Sequence, residues 1–205
     1  MEWRTLAGSH RVAIEGWASL GAMSRPPEWT VLESHDLHDC AVFRVRRTLA
    51  RSPRTGDVHP FFRIDADAWV NVVPVTAAGE IVMVRQYRHG EGAVTLEIPG
   101  GIVDPGESPI QAGQRELREE TGYAGGTWEP IGHLNPNPAL FGNRVYSYWA
   151  RGVERVGDSE PHATEETVVE LVPLAELDHR LREGAIDHAL VVAALHWFRL
   201  AEAAP

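Results

Sequence analysis

Between Ser108 and Gly122 the sequence carries the signals for both ends of one helix. Ser108 is a preferred N-cap residue, Pro109 suits the first helical position, and Gln111 stands at the capping-box position. Gly122 supplies the stop, since glycine readily takes the left-handed conformation that closes helices. The helix is therefore expected over 109–121, and it constrains everything around it. Glu116, Glu119 and Glu120 fall on it at i, i+3 and i+4, so three carboxylates crowd one face within a single turn. Like charges at that spacing repel. They also occupy the final turn, where the macrodipole disfavours an acid by roughly 0.3–1 kcal/mol. A helix that begins well and ends against two local rules points to a functional site. A divalent cation would resolve both conflicts, and hard carboxylate oxygens suit Mg2+, with Mn2+ as a substitute. The alternative is a solvated acidic helix with Arg115 and Arg118 as partners.

Around this helix the patterning is mostly that of strands. Trp29–Leu32, Ala41–Arg46, Phe61–Phe62, Trp69–Val73, Ile81–Tyr87, Arg144–Ala150 and Val168–Val172 alternate or run apolar, with turns at Ser52-Pro53, Thr55-Gly56 and Ala78-Gly79. Two further helices are expected at about 174–183 and 187–202. Strands and helices sharing one sheet predict an α/β layered domain. Residues 1–27 hold no period and end in Pro26-Pro27, so they read as a mobile tail, within which Met23 is an alternative start.

A chain of 205 residues is long enough for one substantial domain. Its 19 basic residues, all arginine, stand against 29 acidic ones, a formal net charge of −10. That balance argues against nucleic acid and anionic membranes as partners, and an anionic substrate would need local arginines or a bound cation. With no lysine, Schiff-base chemistry is excluded. The single cysteine, Cys40, fits a reducing cytoplasm and reads as a small buried hydrophobe. No stretch is long and apolar enough for a membrane helix or a signal core. His35-Asp36-Leu37-His38-Asp39-Cys40 has metal-ligand residue types but no second spaced cluster, and reads as a polar turn. Trp29, Trp69, Trp149 and Trp197 read as core or interface residues.

Gly101, Glu107, Arg115, Glu116, Leu117, Glu119, Glu120 and Gly122 together resemble the complete signature of the Nudix hydrolase family. All eight positions and their spacing match. Tyr123 departs, being aromatic where an aliphatic residue is commoner. The resemblance covers about residues 29–200. It implies an α/β/α sandwich with a mixed β-sheet at 67–205, preceded by a small N-terminal β segment at 28–66. It also implies hydrolysis of a nucleoside diphosphate linked to another group. Carried over by position, Glu116 and Glu120 resemble the main metal ligands, Glu120 counting also among the catalytic residues, Glu119 a further ligand or base, and Gly100 a ligand through its backbone carbonyl. Glu107 and Arg115 would brace the loop.

The flanks are similar to the ADP-ribose and nucleoside-diphosphate-sugar pyrophosphatase branch. The resemblance rests on Arg85-Gln86-Tyr87-Arg88-His89-Gly90 before Leu96-Glu97-Ile98-Pro99-Gly100-Gly101, and on Pro138, fifteen residues beyond the signature. In that reading Arg85 and Arg88 fork a phosphate and Glu97 holds a sugar hydroxyl, whereas salt bridges at a strand end are the plainer role for the arginines. Glu165 and Glu166 occupy the place where this branch often carries a catalytic glutamate, or are simply acids at a strand edge. The branch also implies a homodimer paired through the N-terminal β segment. Other nucleotides, such as a damaged nucleoside triphosphate or a dinucleoside polyphosphate, remain open as substrates, as does a non-catalytic ADP-ribose sensor.

Overall fold

The structure, a computed structural model, describes residues 25–160 and 166–203. Most of the expected tail, with Met23, and the candidate Glu165 lie outside the described residues. Three antiparallel strands come first: β1 (Thr30–Asp39), β2 (Phe43–Arg51) and β3 (Val58–Ala66), in the order β1-β2-β3. The β2–β3 turn is organised by Ser52, whose hydroxyl accepts the Arg54 and Thr55 amides at 3.3 and 3.2 Å.

The stretch His35–Asp39 is strand rather than polar turn, because β2 offers its polar side chains partners. Ser34 and Thr48 share a 2.9 Å hydroxyl hydrogen bond, and Arg46 Nε donates to Asp36 at 2.7 Å. Cys40 is exposed, not buried, since it enters the turn where Ala41 reverses the chain at φ 64°.

The larger sheet contains β4 (Trp69–Thr76), β5 (Glu80–Arg88), β6 (Ala93–Glu97), β7 (Gly100–Ile102), β8 (Tyr123–Ala124), β9 (Thr127–Leu134), β10 (Val145–Arg155) and β11 (Thr167–Pro173). Its main path is β11-β5-β4-β10-β8, with β6 on β5, β7 on β4 and β9 on β10. The β4–β10 pairing is parallel and the others are antiparallel, so the sheet is mixed. Helix α1 (Pro109–Thr121) has the bounds its sequence signals require. The expected helix at 174–183 opens instead as a 3-10 turn, Leu174–Glu176, before α2 (Leu177–Arg182), and α3 spans Ala189–Glu202. Pro173 immediately before that turn helps explain its irregular start.

Alternation along the strands sets the layers. Val70 and Val72 of β4 pack with Ala112 and Leu117 of α1. Val73 and Val75 face the other way, into a core with Leu177 of α2 and Val191, Leu195 and Phe198 of α3. The result is an α/β/α sandwich. Of the tryptophans, Trp149 lies in the core against Phe198, Trp197 stacks on Gly132, and Trp29 is exposed beside Phe61. Tyr123 packs with Trp128 against Leu117, which accounts for an aromatic residue at that signature position. The Asn135–Phe141 loop, which carries Pro138, is tied to β3 and β4: the Ile64 amide donates to Leu140 O at 2.7 Å, and Trp69 meets Phe141 edge to face. Among the described residues, no helix is long and apolar enough to cross a membrane.

Candidate active site

The acid-rich turn closes α1, and the fold buries part of it. Glu116 and Glu120 are buried, at 9% and 3% exposure, while Glu119 is partly open to solvent. This differs from a solvated acidic helix. The turn is held from two sides. Arg115 donates to Glu107 through Nε and Nη2, to Glu116 and Glu119 through Nη1 at 2.8 and 3.2 Å, and to Ile102 O at 3.0 Å. One guanidinium thus serves Glu107, Glu116, Glu119 and, at 3.9 Å, Asp104. The Glu107 carboxylate beside Arg115 raises the arginine's pKa further, and the same contact holds Glu107 below the usual carboxylate range. Arg118, expected as a second partner, is exposed on the outer side of α1.

On the other side, the Gly100 amide donates to Glu120 Oε2 at 3.1 Å. A Cβ on Gly101 would collide with the Glu116 carboxylate and displace it, and a Cβ on Gly100 would collide with the Val70 carbonyl, so two glycines let β7 run this close to the acid and to β4. Gly122 closes the helix at φ 72°, with its amide donating to Arg118 O at 2.8 Å.

A helix end leaves its last carbonyls without intrahelical donors. Here long-range partners supply them. Glu160 N–H donates to Glu119 O at 2.7 Å, and the Thr167 hydroxyl donates to Glu120 O at 2.9 Å.

Among the described residues, no three acid, histidine or cysteine side chains converge on a single ligand point. The reason is visible in the hydrogen bonds: Arg115 draws Glu116 and Glu119 one way, and the Gly100 amide draws Glu120 another. The donor set still fits a hard divalent cation. Glu116 and Glu120 are one turn apart on a buried face, Gly100 brings its backbone beside Glu120, and the cradle at Gly101 is the space a side chain would fill.

Arg85 and Arg88 leave β5 on opposite faces, as their odd and even positions require. Arg85 pairs with Glu170 at 2.6 Å, and Glu170 also meets Arg180 of α2 at 3.2 Å. Arg88 forks Glu97, with Nε and Nη2 each 2.8 Å from a carboxylate oxygen. Thr95 donates to Glu97 Oε1 at 2.6 Å. Burial pushes the Glu97 carboxyl up, but the contacts from Arg88 and Thr95 outweigh it and hold it below its ordinary value. Both arginines therefore make the salt bridges that were their plainer role, and only Arg88 shares the α1 side of the sheet with the acids. Glu166 is exposed, one residue before Thr167, which brings it to the end of α1. Pro138 is exposed on its loop.

Thr95 and Thr167 are functional candidates that sequence reading missed. Thr95 had a signal, since in a strand it shares a face with Glu97 two residues on. Thr167 had none, because 47 residues separate it from the carbonyl it caps.

Residues 67–203 match the family model described as NUDIX domain. The chain is 33% identical over 170 residues to the ADP-ribose pyrophosphatase of Mycobacterium tuberculosis, covering 82% of each. It is 29% identical over 136 residues to the ADP-ribose pyrophosphatase of Bacillus subtilis, covering 65% of this chain and 73% of that one. A 64-residue stretch is 48% identical to the ADP-sugar pyrophosphatase of Mus musculus, covering 29% of each chain. A crystal structure of an ADP compounds hydrolase superposes with a TM-score of 0.76 at 23% identity, covering 86% of this chain and 95% of that one, a likeness of fold. The family match spans the whole sandwich, and the signature falls on the turn where the acids gather, so the chain belongs to the Nudix hydrolase family.

Proposed function

We propose that this Nudix hydrolase cleaves the pyrophosphate of a nucleoside diphosphate sugar, ADP-ribose first, into a nucleoside monophosphate and a sugar phosphate. The observation that carries this reading is the buried Glu116–Glu120 pair against Gly100-Gly101, with the Arg88–Glu97 fork on the same side of the sheet. The named activities of the Mycobacterium tuberculosis and Bacillus subtilis relatives support ADP-ribose over a triphosphate.

Glu116, Glu120 and the Gly100 carbonyl would hold Mg2+, or Mn2+ in its place. When bound, the cation supplies charge neutralisation of the pyrophosphate and activation of a water for in-line attack. Arg115 keeps the acid turn in register by joining Glu107, Glu116 and Glu119. Glu119 and Glu166 are the proposed bases for the attacking water, a role their exposure to solvent supports. Glu165 is a further candidate for that role. Arg88 offers a guanidinium to a non-reacting phosphate oxygen, Glu97 orients it or accepts a sugar hydroxyl, and Pro138 lines the neighbouring loop. Arg85 is proposed as a more distant phosphate contact.

A homodimer paired through β1–β3 fits the exposed apolar groups of that sheet. The single exposed cysteine supports a reducing, cytoplasmic setting. The test is product analysis with Mg2+ on ADP-ribose, UDP- and GDP-sugars, nucleoside triphosphates and dinucleoside polyphosphates. AMP and ribose 5-phosphate as the preferred products support the reading. Preference for a triphosphate, or ADP-ribose binding without turnover, overturns it.

A further inference from the structure

We propose that Thr167 is a positioning residue for the metal-binding turn: its hydroxyl clamps the backbone carbonyl of Glu120 and so fixes where that carboxylate stands. The inference deepens the reading of this same site and rests on it.

The acid turn faces the last carbonyls of α1, the negative end of the helix dipole. Repulsion among Glu116, Glu119 and Glu120 favours fraying there, and a helix end opens readily when its carbonyls lack donors. The fold answers at the backbone carbonyls of two of these acids, Glu119 and Glu120. Glu160 N–H caps Glu119 O at 2.7 Å, and Thr167 Oγ1 caps Glu120 O at 2.9 Å.

The two clamps differ in what a substitution can remove. The first uses a backbone amide that any residue but proline supplies. The second needs a side-chain hydroxyl. Thr167 is itself held, since it opens β11 and pairs across the ladder with Gln86 of β5. Its donated hydrogen bond therefore refers the Glu120 backbone to the central sheet. From the opposite side, the Gly100 amide of β7 refers the Glu120 carboxylate to β4. Glu120 is thus located at both ends, and Thr167 supplies one of them without touching metal or substrate.

The test compares Thr167→Val, which keeps the shape and loses the hydroxyl, with Thr167→Ser, which keeps the hydroxyl. Hydrogen exchange across 116–124 reads the clamp without metal or substrate, Mn2+ titration by electron paramagnetic resonance reads the site, and steady-state hydrolysis of ADP-ribose reads the reaction. Thr167→Val should exchange faster in the last turn of α1, bind Mn2+ about 3- to 10-fold more weakly, and lose about 10-fold in kcat with KM nearly unchanged. Thr167→Ser should restore all three. Wild-type exchange and Mn2+ affinity in Thr167→Val, or identical behaviour of the two variants, overturns the proposal. Absence of ADP-ribose hydrolysis by the unmodified protein would instead count against the substrate reading, leaving exchange and Mn2+ binding to decide on Thr167.

Discussion

Glu116 and Glu120 differ from their neighbour Glu119 in burial more than in position. Both are enclosed between α1 and β7, where a carboxylate is costly unless its charge is answered. Glu116→Gln and Glu120→Gln should each lower kcat by at least roughly 100-fold, because a neutral amide cannot replace an anionic ligand. Turnover within a few-fold of wild type in both variants would remove them from the metal site. Arg88 tests recognition rather than chemistry. A guanidinium on a non-reacting oxygen binds ground and transition states about equally, so Arg88→Ala should raise KM by about 10- to 150-fold with a smaller change in kcat. Arg85→Ala should change KM less, since Glu170 holds Arg85 on the α2 face. The reverse order, measured on ADP-ribose, would assign the phosphate to Arg85. At this scale spacing alone left the acids of α1 open between a metal site and a solvated acidic face, and it was the match of eight positions to the family signature that singled them out. Thr167 was not legible, because the carbonyl its hydroxyl meets lies 47 residues away and becomes a neighbour only when β11 reaches the end of α1.

At the scale of the element, α1 shows how a helix with local conflicts stays formed. Its N-terminus is satisfied locally, with the Ser108 amide donating to Gln111 Oε1 at 2.9 Å. Its C-terminus depends on Gly122, Arg115 and donors from distant segments. Bound cation should therefore stabilise the fold, and less so once a ligand is lost. Thermal melts with and without Mg2+ check this: wild type should gain more than Glu120→Gln. Without metal, Glu120→Gln should melt at or slightly above wild type, because one like charge is gone and an amide oxygen can still accept from Gly100. A large metal-free loss of melting temperature would give Glu120 a structural role instead. The bounds of α1 could be read in advance because its caps lie within its own sequence. Strands β6 to β9 could not, since β6 and β7 are short, β7 opens on Gly100-Gly101, and β9 contains Pro130 and Gly132.

At the scale of the molecule, the three-stranded sheet exposes apolar groups on both faces. Trp29 and Phe61 meet edge to face at 5.1 Å, while Val58 and Phe62 point from alternate positions of β3, and all four are exposed. Three strands cannot bury such groups between themselves, and an exposed apolar surface of this kind suits a second copy of the chain. Light scattering at micromolar concentration should return twice the 22.7 kDa chain mass. The monomer mass would exclude this pairing.

Sequence alone determined the nature of α1: its limits, its acids, and the charge conflict among them. These follow from spacing along one element, where geometry is set by the helical repeat. It also carried the alternation that puts helices on both faces of a sheet. Tertiary structure decided what distance along the chain conceals. It buried Glu116 and Glu120 but left Glu119 partly open, and it sent Arg85 and Arg88 to opposite faces with different acids. It also brought Gly100, Glu160 and Thr167 to the end of α1. The physical reason is that hydrogen bonds and burial depend on neighbours in space, and those neighbours are fixed only when the strands take their order in the sheet.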